Sequence, residues 1–581
     1  MIQIYVYRVK VWIFVLENAR ADGKWLNNEE PTRSATDPRD RNYKITWHSI
    51  LFIAWSITYL IPLFKPNNSI LSMKRNFFII LFFFFPGLLF ANSKYWIYLK
   101  DKDAALSPAI SALTMQNRQG LGMASFDTYD LPIMPAYEEA IRGQQVQILH
   151  RSKWLNAVSA HMSMEQVARI KALDFVEAVE PIDPGFFIAS NRPVERAQMA
   201  PVMSQVQAEA FLKQKITAQN ITIGVIDAGF YGADSSLSLQ QVFGNNRILG
   251  IRDYVKPGRA GELLFSTAES FSDMHGTEVM AAISGINPKE QMQYGMATNA
   301  SFYLARSDYS MREYRGEEDN WIAAMEWMDS LGVRLINTSL GYAKGFSDPK
   351  ENYKPAEMDG KTSAITKAAQ IASDKKGLLL IVSAGNEGDD KSWEVVSAPA
   401  DAKGVLSIGA TNSTLWNKIG YSSMGPESLP YIKPNVSCFS LYGTSLSAPV
   451  ITGFAACLLQ ANPKLSNKEL IEIIEKSAHL YPYGNNYVGY GVPQASRALA
   501  LAKAPYLPSH AQLLVAKGRN MTVEVKSQDK LVALYRKKNK KDVISQQIGK
   551  VQDGKINLKR IGREKYTTID LKDRVIEVQW D

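Results

Sequence analysis

Gly443-Thr444-Ser445-Leu446-Ser447-Ala448-Pro449 places a serine where an apolar helix begins. Gly443 permits a tight turn and a close approach of backbone to a ligand. Pro449 suits a first helical turn, where its missing N–H costs nothing. Val450, Ile451, Phe454, Ala455, Ala456, Cys457, Leu458 and Leu459 follow with almost no polar interruption. A helix apolar all round is a buried helix, so the chain must build a core that encloses it. Ser445 is then expected at the mouth of a central helix, facing a cleft. The plainer reading is a helix N-cap, a role serine also favours; this stretch alone leaves both open.

Three other stretches bear on the choice. Ile221-Thr222-Ile223-Gly224-Val225-Ile226 is a β-branched run ending in Asp227-Ala228-Gly229. A carboxylate at the carboxyl end of a buried strand lies where open α/β sheets place ligand sites. His275-Gly276-Thr277 opens a helical run from Glu278 to Ile283, closed by Gly285. Leu378-Leu379-Leu380-Ile381-Val382 is a second buried strand, followed by Ser383-Ala384-Gly385-Asn386-Glu387-Gly388. Taken singly, Asp227 and Asn386 read equally well as turn residues, and His275 as a satisfied core histidine. The chain has 6 histidines, and His275 alone lies between the Asp and Ser motifs. A G-x-S-x-G hydrolase elbow is excluded, because Ser447 holds the position of the second glycine.

In this order the four motifs resemble the subtilisin-like serine proteases, over roughly Ile221 to Leu499. The resemblance implies an Asp227, His275, Ser445 triad. Serine is a weak nucleophile until a base takes its proton, and imidazole titrates near neutral pH. Asp227 would hold the other ring N–H and fix the tautomer. Asn386 would donate its amide to the oxyanion, with the Ser445 N–H as second donor. Ser339-Leu340-Gly341 and Ala384-Gly385 would wall the pocket before the scissile bond and bind substrate backbone as an added strand. Glu278 stands where the family often has a second His, Ala228 where Ser or Thr is common, and Tyr342 where a second Gly is frequent. Tyr342 is expected to alter the substrate cleft.

A chain of 581 residues is too long for one core. Met73-Lys74-Arg75, then apolar Phe77 to Phe90, then Ala91, has the form of a secretory signal peptide. It falls short of the ~20 apolar residues that a membrane span takes. Residues 73–91 are therefore expected to be a signal peptide with Met73 as the true start, and 1–72 an over-extended reading of the gene or a leader. Ile50 to Phe64 is also apolar but broken by Pro62; two short segments paired in the membrane are the other reading. Residues 92–195 alternate strands (Tyr95–Leu99, Val146–Leu149, Leu155–Ser159, Phe175–Val179) with helices at Pro108–Asn117 and after a Ser163–Gln166 capping box. Their position resembles the inhibitory propeptide of subtilisin-like proteases. Asp183 to Pro201 reads as the linker that maturation cuts, and Gln205–Lys213 as a helix.

Strand and helix alternate through 196–505, which predicts a mostly parallel sheet with helices on both faces. Trp321, Met325 and Met328 share one helix face and read as core. Residues 506–581 predict a small β-sandwich, with Asp553-Gly554 as a hairpin turn and Arg536 to Lys541 as a solvated loop. Cys438 and Cys457 are expected as two buried thiols. A bridge would need the chain to run back beside a helix that carries Cys457 about 18 Å beyond Ser445.

The reading is an exported serine endopeptidase of α/β, subtilisin-like fold, made as a zymogen. A catalytically silent peptide-binding pseudoprotease and a narrow processing protease are the alternatives. Its expected location is secreted, periplasmic or on the cell surface. Expected partners are protein or peptide substrates and its own propeptide, with the membrane met only through the signal peptide. Net charge is +9, and no basic stripe interleaves with aromatics, which excludes a nucleic-acid binder. Asp234, Asp319 and Asp401 are scattered and form no calcium loop; no metal or cofactor is expected to be required, and structural calcium stays open.

Overall fold

The computed structural model describes residues 93–182, 196–309, 315–344, 352–504 and 506–581. The expected leader, the signal segment 73–91 and the linker from Asp183 to residue 195 lie outside the described residues.

Strands β1 (Ser93–Leu99), β2 (Ile148–Ser152), β3 (Ala157–Met162) and β4 (Val176–Ile182) form an antiparallel sheet in the order β2-β3-β1-β4. Alternation along each strand gives the sheet two apolar faces. Ile97 and Leu99 of β1, with Val158 and Ala160 of β3, meet Ile141, Val167 and Ile170 on helices Pro135–Gly143 and Met164–Lys171. Trp96 and Ala157, on the opposite face, join a second core with Trp321 and Met325 of the central module. The Ser163 capping box forms as expected. The first helix begins later than predicted, at Ala112, because the Ser111 side chain caps it through the Thr114 N–H. Helix Pro135–Gly143 went unpredicted; proline at its first turn was the only local sign.

The linker reading fails over its last residues. Arg196–Gln205 is a helix with Pro201 inside it, and the next helix is only Glu209–Leu212. Tertiary contacts outweigh the proline. Met199 and Val202 are buried, and Gln198 and Gln205 accept from the Leu441 and Phe439 N–H groups, each at 2.7 Å.

The central module contains β5 (Thr222–Asp227), β6 (Ile248–Asp253), a ribbon of β7 (Ile286–Asn287) and β8 (Met292–Gln293), β9 (Ser301–Arg306), β10 (Leu335–Thr338), β11 (Leu379–Ser383), β12 (Leu406–Thr411) and β13 (Val436–Phe439). Apart from the ribbon these make one parallel sheet, ordered β13-β12-β11-β10-β5-β9-β6. Its inner strands β10, β11 and β12 are buried on both faces, while the edge strand β6 leaves Leu249 and Arg252 exposed. Ile223, Val225, Leu379 and Ile381 point to one core, and Ile226, Leu380 and Val382 to the other. Helices His275–Ser284 and Ala448–Ala461 cover the first face; Glu318–Ser330 and Ala364–Lys376 cover the second. Every residue from Ala448 to Leu459 is buried, as the apolar sequence requires. Cys438 and Cys457 are free, buried thiols.

The C-terminal strands are β14 (Ala511–Ala516), β15 (Asn520–Glu524), β16 (Leu531–Lys537), β17 (Val543–Lys550), β18 (Lys555–Lys559), β19 (Tyr566–Asp570) and β20 (Val575–Trp580). A five-stranded sheet, β14-β20-β19-β16-β17, shares a core with the β15–β18 ribbon. Strand β17 was not predicted, since Val543-Ile544 and Gln546-Gln547 break the alternation. The solvated loop expected from Arg536 is also corrected. Arg536 and Lys537 end β16, both buried, with Arg536 3.2 Å from Glu564 and Lys537 2.8 Å from Glu577. Their carboxylate partners come from distant chain, which a local charge run does not reveal.

Candidate active site

β5 delivers Asp227 at its carboxyl end, where a parallel sheet opens to ligands. Asp227 Oδ1 lies 2.6 Å from His275 Nδ1 and accepts from the Ala228 N–H at 2.8 Å. Both side chains are buried. Two glycines bring the His275 helix this close. The Gly276 N–H donates to the Gly229 carbonyl at 2.9 Å. A Cβ on Gly276 would sit 2.4 Å from that oxygen, and one on Gly229 would sit 2.6 Å from Asp273 Cα. A side chain at either position would force the aspartate and histidine apart. His275 Nε2 is buried with no hydrogen-bond partner among the described residues. Such a nitrogen, its ring held through Nδ1, is arranged to take up a proton.

Ser445 lies in the turn Thr444–Leu446, which packs against the His275–Ser284 helix. Gly443 enters this turn at φ 122°, a conformation that favours glycine. Ser445 does not cap the long helix; Ser447 holds that position. The Ser445 hydroxyl donates to the Ser339 carbonyl at 3.1 Å, and the Ser339 hydroxyl donates to the Ser445 carbonyl at 2.9 Å. Rotation of the Ser445 hydroxyl away from Ser339 would direct it elsewhere, and catalytic hydrogen bonds are often slack before substrate arrives.

Asn386 follows β11. Its Oδ1 accepts from the Thr444 N–H at 2.8 Å and the Thr444 hydroxyl at 3.1 Å. The carbonyl end is thereby occupied, which leaves the NH₂ end as a donor for a ligand. Ser339 and Gly385 are brought against the Ser445 turn; the Gly385 N–H reaches Thr444 Oγ1 at 3.1 Å. Leu340 and Ala384 are buried behind it, and Gly341 faces Ser397.

Burial is the largest influence on His275 and pulls its pKa down. Asp227, then Glu278 and Asp308, pull it up, and the net result lies above the ordinary histidine value. Glu278, at the position of the expected family histidine, is pushed by burial up to about 7. Its Oε2 is buried without a partner among the described residues.

Sequence reasoning missed two groups beside the site. Asp308 is buried, and burial raises its pKa. Arg306, also buried, donates to the Ala228 carbonyl at 3.0 Å and to Asp273 at 3.1 Å, so it ties the Asp227 turn to the start of the His275 helix. Both residues sit at or just beyond the carboxyl end of β9, and the rule that singled out Asp227 would have found them. Tyr342 is corrected: its ring is fully buried in the core, and its hydroxyl donates to Asp308 at 2.9 Å.

Residues 218–491 match the subtilase family, Peptidase S8, and residues 94–196 match the Peptidase S8 propeptide domain of Bacteroidota. The chain is 26% identical over 364 residues to subtilisin NAT of Bacillus subtilis subsp. natto, covering 60% of this chain and 82% of that protein. It is 25% identical over 364 residues to an alkaline protease of Alkalihalobacillus alcalophilus, covering 61% and 82%. Among solved structures, fervidolysin from Fervidobacterium pennivorans, a keratinolytic enzyme related to subtilisin, aligns at 18% identity and a TM-score of 0.46, over 83% of this chain and 70% of its own.

Proposed function

Because this chain is a member of the subtilase family, a serine endopeptidase with its own S8 propeptide domain, we propose that Asp227, His275 and Ser445 are its catalytic triad and Asn386 its oxyanion donor. The observation that carries the reading is the buried Asp227–His275 pair, whose second ring nitrogen has no hydrogen-bond partner among the described residues and belongs to a helix packed against the Ser445 turn. Ser445 Oγ attacks the scissile carbonyl carbon while its proton passes to His275 Nε2. Asp227 holds the ring and stabilises the imidazolium. The tetrahedral oxyanion is met by the Asn386 NH₂ and the Ser445 N–H. His275 then gives the proton to the leaving amine. Water repeats the sequence on the acyl-enzyme, and Ser445 recovers its proton.

Substrates are protein or peptide segments, laid along Ser339–Gly341 and Ala384–Gly385 as an added strand. Residues 92–195 act as the propeptide and stay docked after cleavage; 73–91 direct export. Tethering makes the first cut intramolecular, at an effective concentration on the order of mM for a short flexible linker. Expression of Asn92–Asp581 as wild type and as Ser445→Ala tests the reading by mass. The wild type should lose a fragment that ends between Asp183 and Lys215, and the variant should stay full length. Identical processing of both would refute Ser445 as the nucleophile of maturation.

A further inference from the structure

The C-terminal sheet supplies no group to the site, yet its edge strand β17 grips the segment on which the Asn386 loop rests. That segment runs from Lys418 to Gly425. At its first residue, the Gln546 side chain of β17 pairs with the backbone. The Lys418 N–H donates to Gln546 Oε1 at 2.9 Å, and Gln546 Nε2 donates to the Lys418 carbonyl at 3.1 Å. Lys418 bridges antiparallel to Thr411 of β12 on one side, and the Gln546 amide takes up its backbone on the other. At the last residue, the Gly425 N–H donates to the Asn486 carbonyl at 2.8 Å, and Asn486 Nδ2 donates to the Gly425 carbonyl at 3.1 Å. Asn486 is in turn held by the C-terminal sheet: its N–H reaches the Lys541 carbonyl at 2.9 Å, and its Oδ1 accepts from the Val543 N–H at 2.9 Å. Leu480 and Val488 pack with Ala533, Tyr535, Val543 and Val575 across the same boundary.

Between these clamps the segment carries the Asn386 loop. The Gly388 N–H donates to the Tyr421 carbonyl at 2.7 Å, and the Ser423 N–H to the Gly385 carbonyl at 3.1 Å. Ser423 Oγ accepts from the Glu387 N–H at 3.1 Å and donates to Glu387 Oε2 at 3.2 Å. That same carboxylate oxygen accepts from the Asn386 N–H at 2.8 Å. The Tyr421 hydroxyl reaches the Ser440 carbonyl at 2.8 Å, in the run that leads to Gly443. The loop from Gly385 to Gly388 lies outside the strands, so this scaffold supplies its rigidity.

We infer that Gln546 is a positioning residue for the oxyanion donor. The C-terminal sheet fixes the Lys418–Gly425 segment, the segment fixes the Gly385–Gly388 backbone, and that backbone aims the Asn386 amide. An oxyanion donor acts only where its hydrogen sits within bonding distance of the developing charge, so slack in the segment is lost turnover. The inference rests on the assignment of Asn386 above.

A double-mutant cycle on the processed full chain tests it. Gln546→Ala should lower kcat about 2- to 30-fold, the range expected of coupling through a packed network, with a smaller change in KM. In the Asn386→Ala background, Gln546→Ala should have no further effect on kcat, because the donor it aims is gone. Ile548→Ser, at an exposed position of the same strand, should leave kcat as in wild type. Where Gln546→Ala fails to fold, Gln546→Glu enters the same cycle; it keeps the acceptor for Lys418 and loses the donor. The inference is overturned if either Gln546 variant leaves kcat unchanged, or lowers it by the same factor in both backgrounds. If Asn386→Ala itself leaves kcat unchanged, the reading of the site falls, and this inference falls with it.

Discussion

Replacing Arg118 by methionine should loosen the propeptide by orders of magnitude. Arg118 lies on the propeptide helix Ala112–Gly120. Its guanidinium is 2.7 Å from Asp130 of the same module and grips both carboxylate oxygens of Asp329, on the helix Glu318–Ser330 of the central module, at 2.9 and 3.0 Å. All three side chains are nearly free of water. Asp130 would keep a partner in Lys376, 3.0 Å away. Asp329 would lose both bonds. Burial is the largest influence on Asp329 and lifts its carboxyl above the ordinary value, with Arg118 and then Lys153 pulling against it; the substitution removes the larger of these two opposing charges. Stranding a buried charge costs about 3–5 kcal/mol. At about 1.4 kcal/mol per decade, that is roughly two to three and a half decades in the propeptide dissociation constant. A surface pair of the same geometry would contribute less than about 1 kcal/mol. The assay is stepwise dilution of processed enzyme, with turnover of a small peptide substrate read at each concentration. The concentration at which activity appears should rise by that factor in Arg118→Met. Arg118→Met with Asp329→Met should restore most of the binding, since two apolar side chains leave no orphan charge. A midpoint that moves less than about fivefold would place the pair among surface bridges and refute the reasoning, as would a double variant no better than the single one.

A general base must be neutral to act, and His275 titrates above its ordinary ~6.5. The rising limb of kcat/KM against pH should therefore lie above that value. Glu278→Gln removes a charge that favours the imidazolium, so the limb should move to lower pH; an unmoved limb would discount Glu278 as an influence on the base. Asn386→Ala should lower kcat by about 10²–10³ with little change in KM, and a loss confined to KM would remove it as oxyanion donor. Burial raises the pKa of both cysteine thiols, so iodoacetamide should modify neither Cys438 nor Cys457 until the protein is unfolded. Mass spectrometry of the native protein checks this, and a labelled native thiol would contradict their burial.

The parallel core and its central helix were legible because their signals are local. A β-branched run reads as a buried strand wherever it lies, and the Ala448–Ala461 segment has no polar face to offer water. The four candidate site residues were legible for a related reason: each sits beside a turn motif at a strand or helix end, and their order along the chain is itself a signal. The sequence determined these. The tertiary structure alone decided what depends on partners far apart in the chain. Arg536 and Lys537 look like a solvated run until Glu564 arrives from the turn before β19 and Glu577 from β20. Pro201 looks like a linker residue until Gln198 and Gln205 find the backbone around β13. Tyr342 looks like a cleft residue until Asp308 receives its hydroxyl inside the core. Gln546 carries no local signal at all, because the backbone it pairs with lies 128 residues away. Periodicity and turn chemistry are written within a few residues; the partner of a buried charge or amide is set by how the folded chain brings distant segments together.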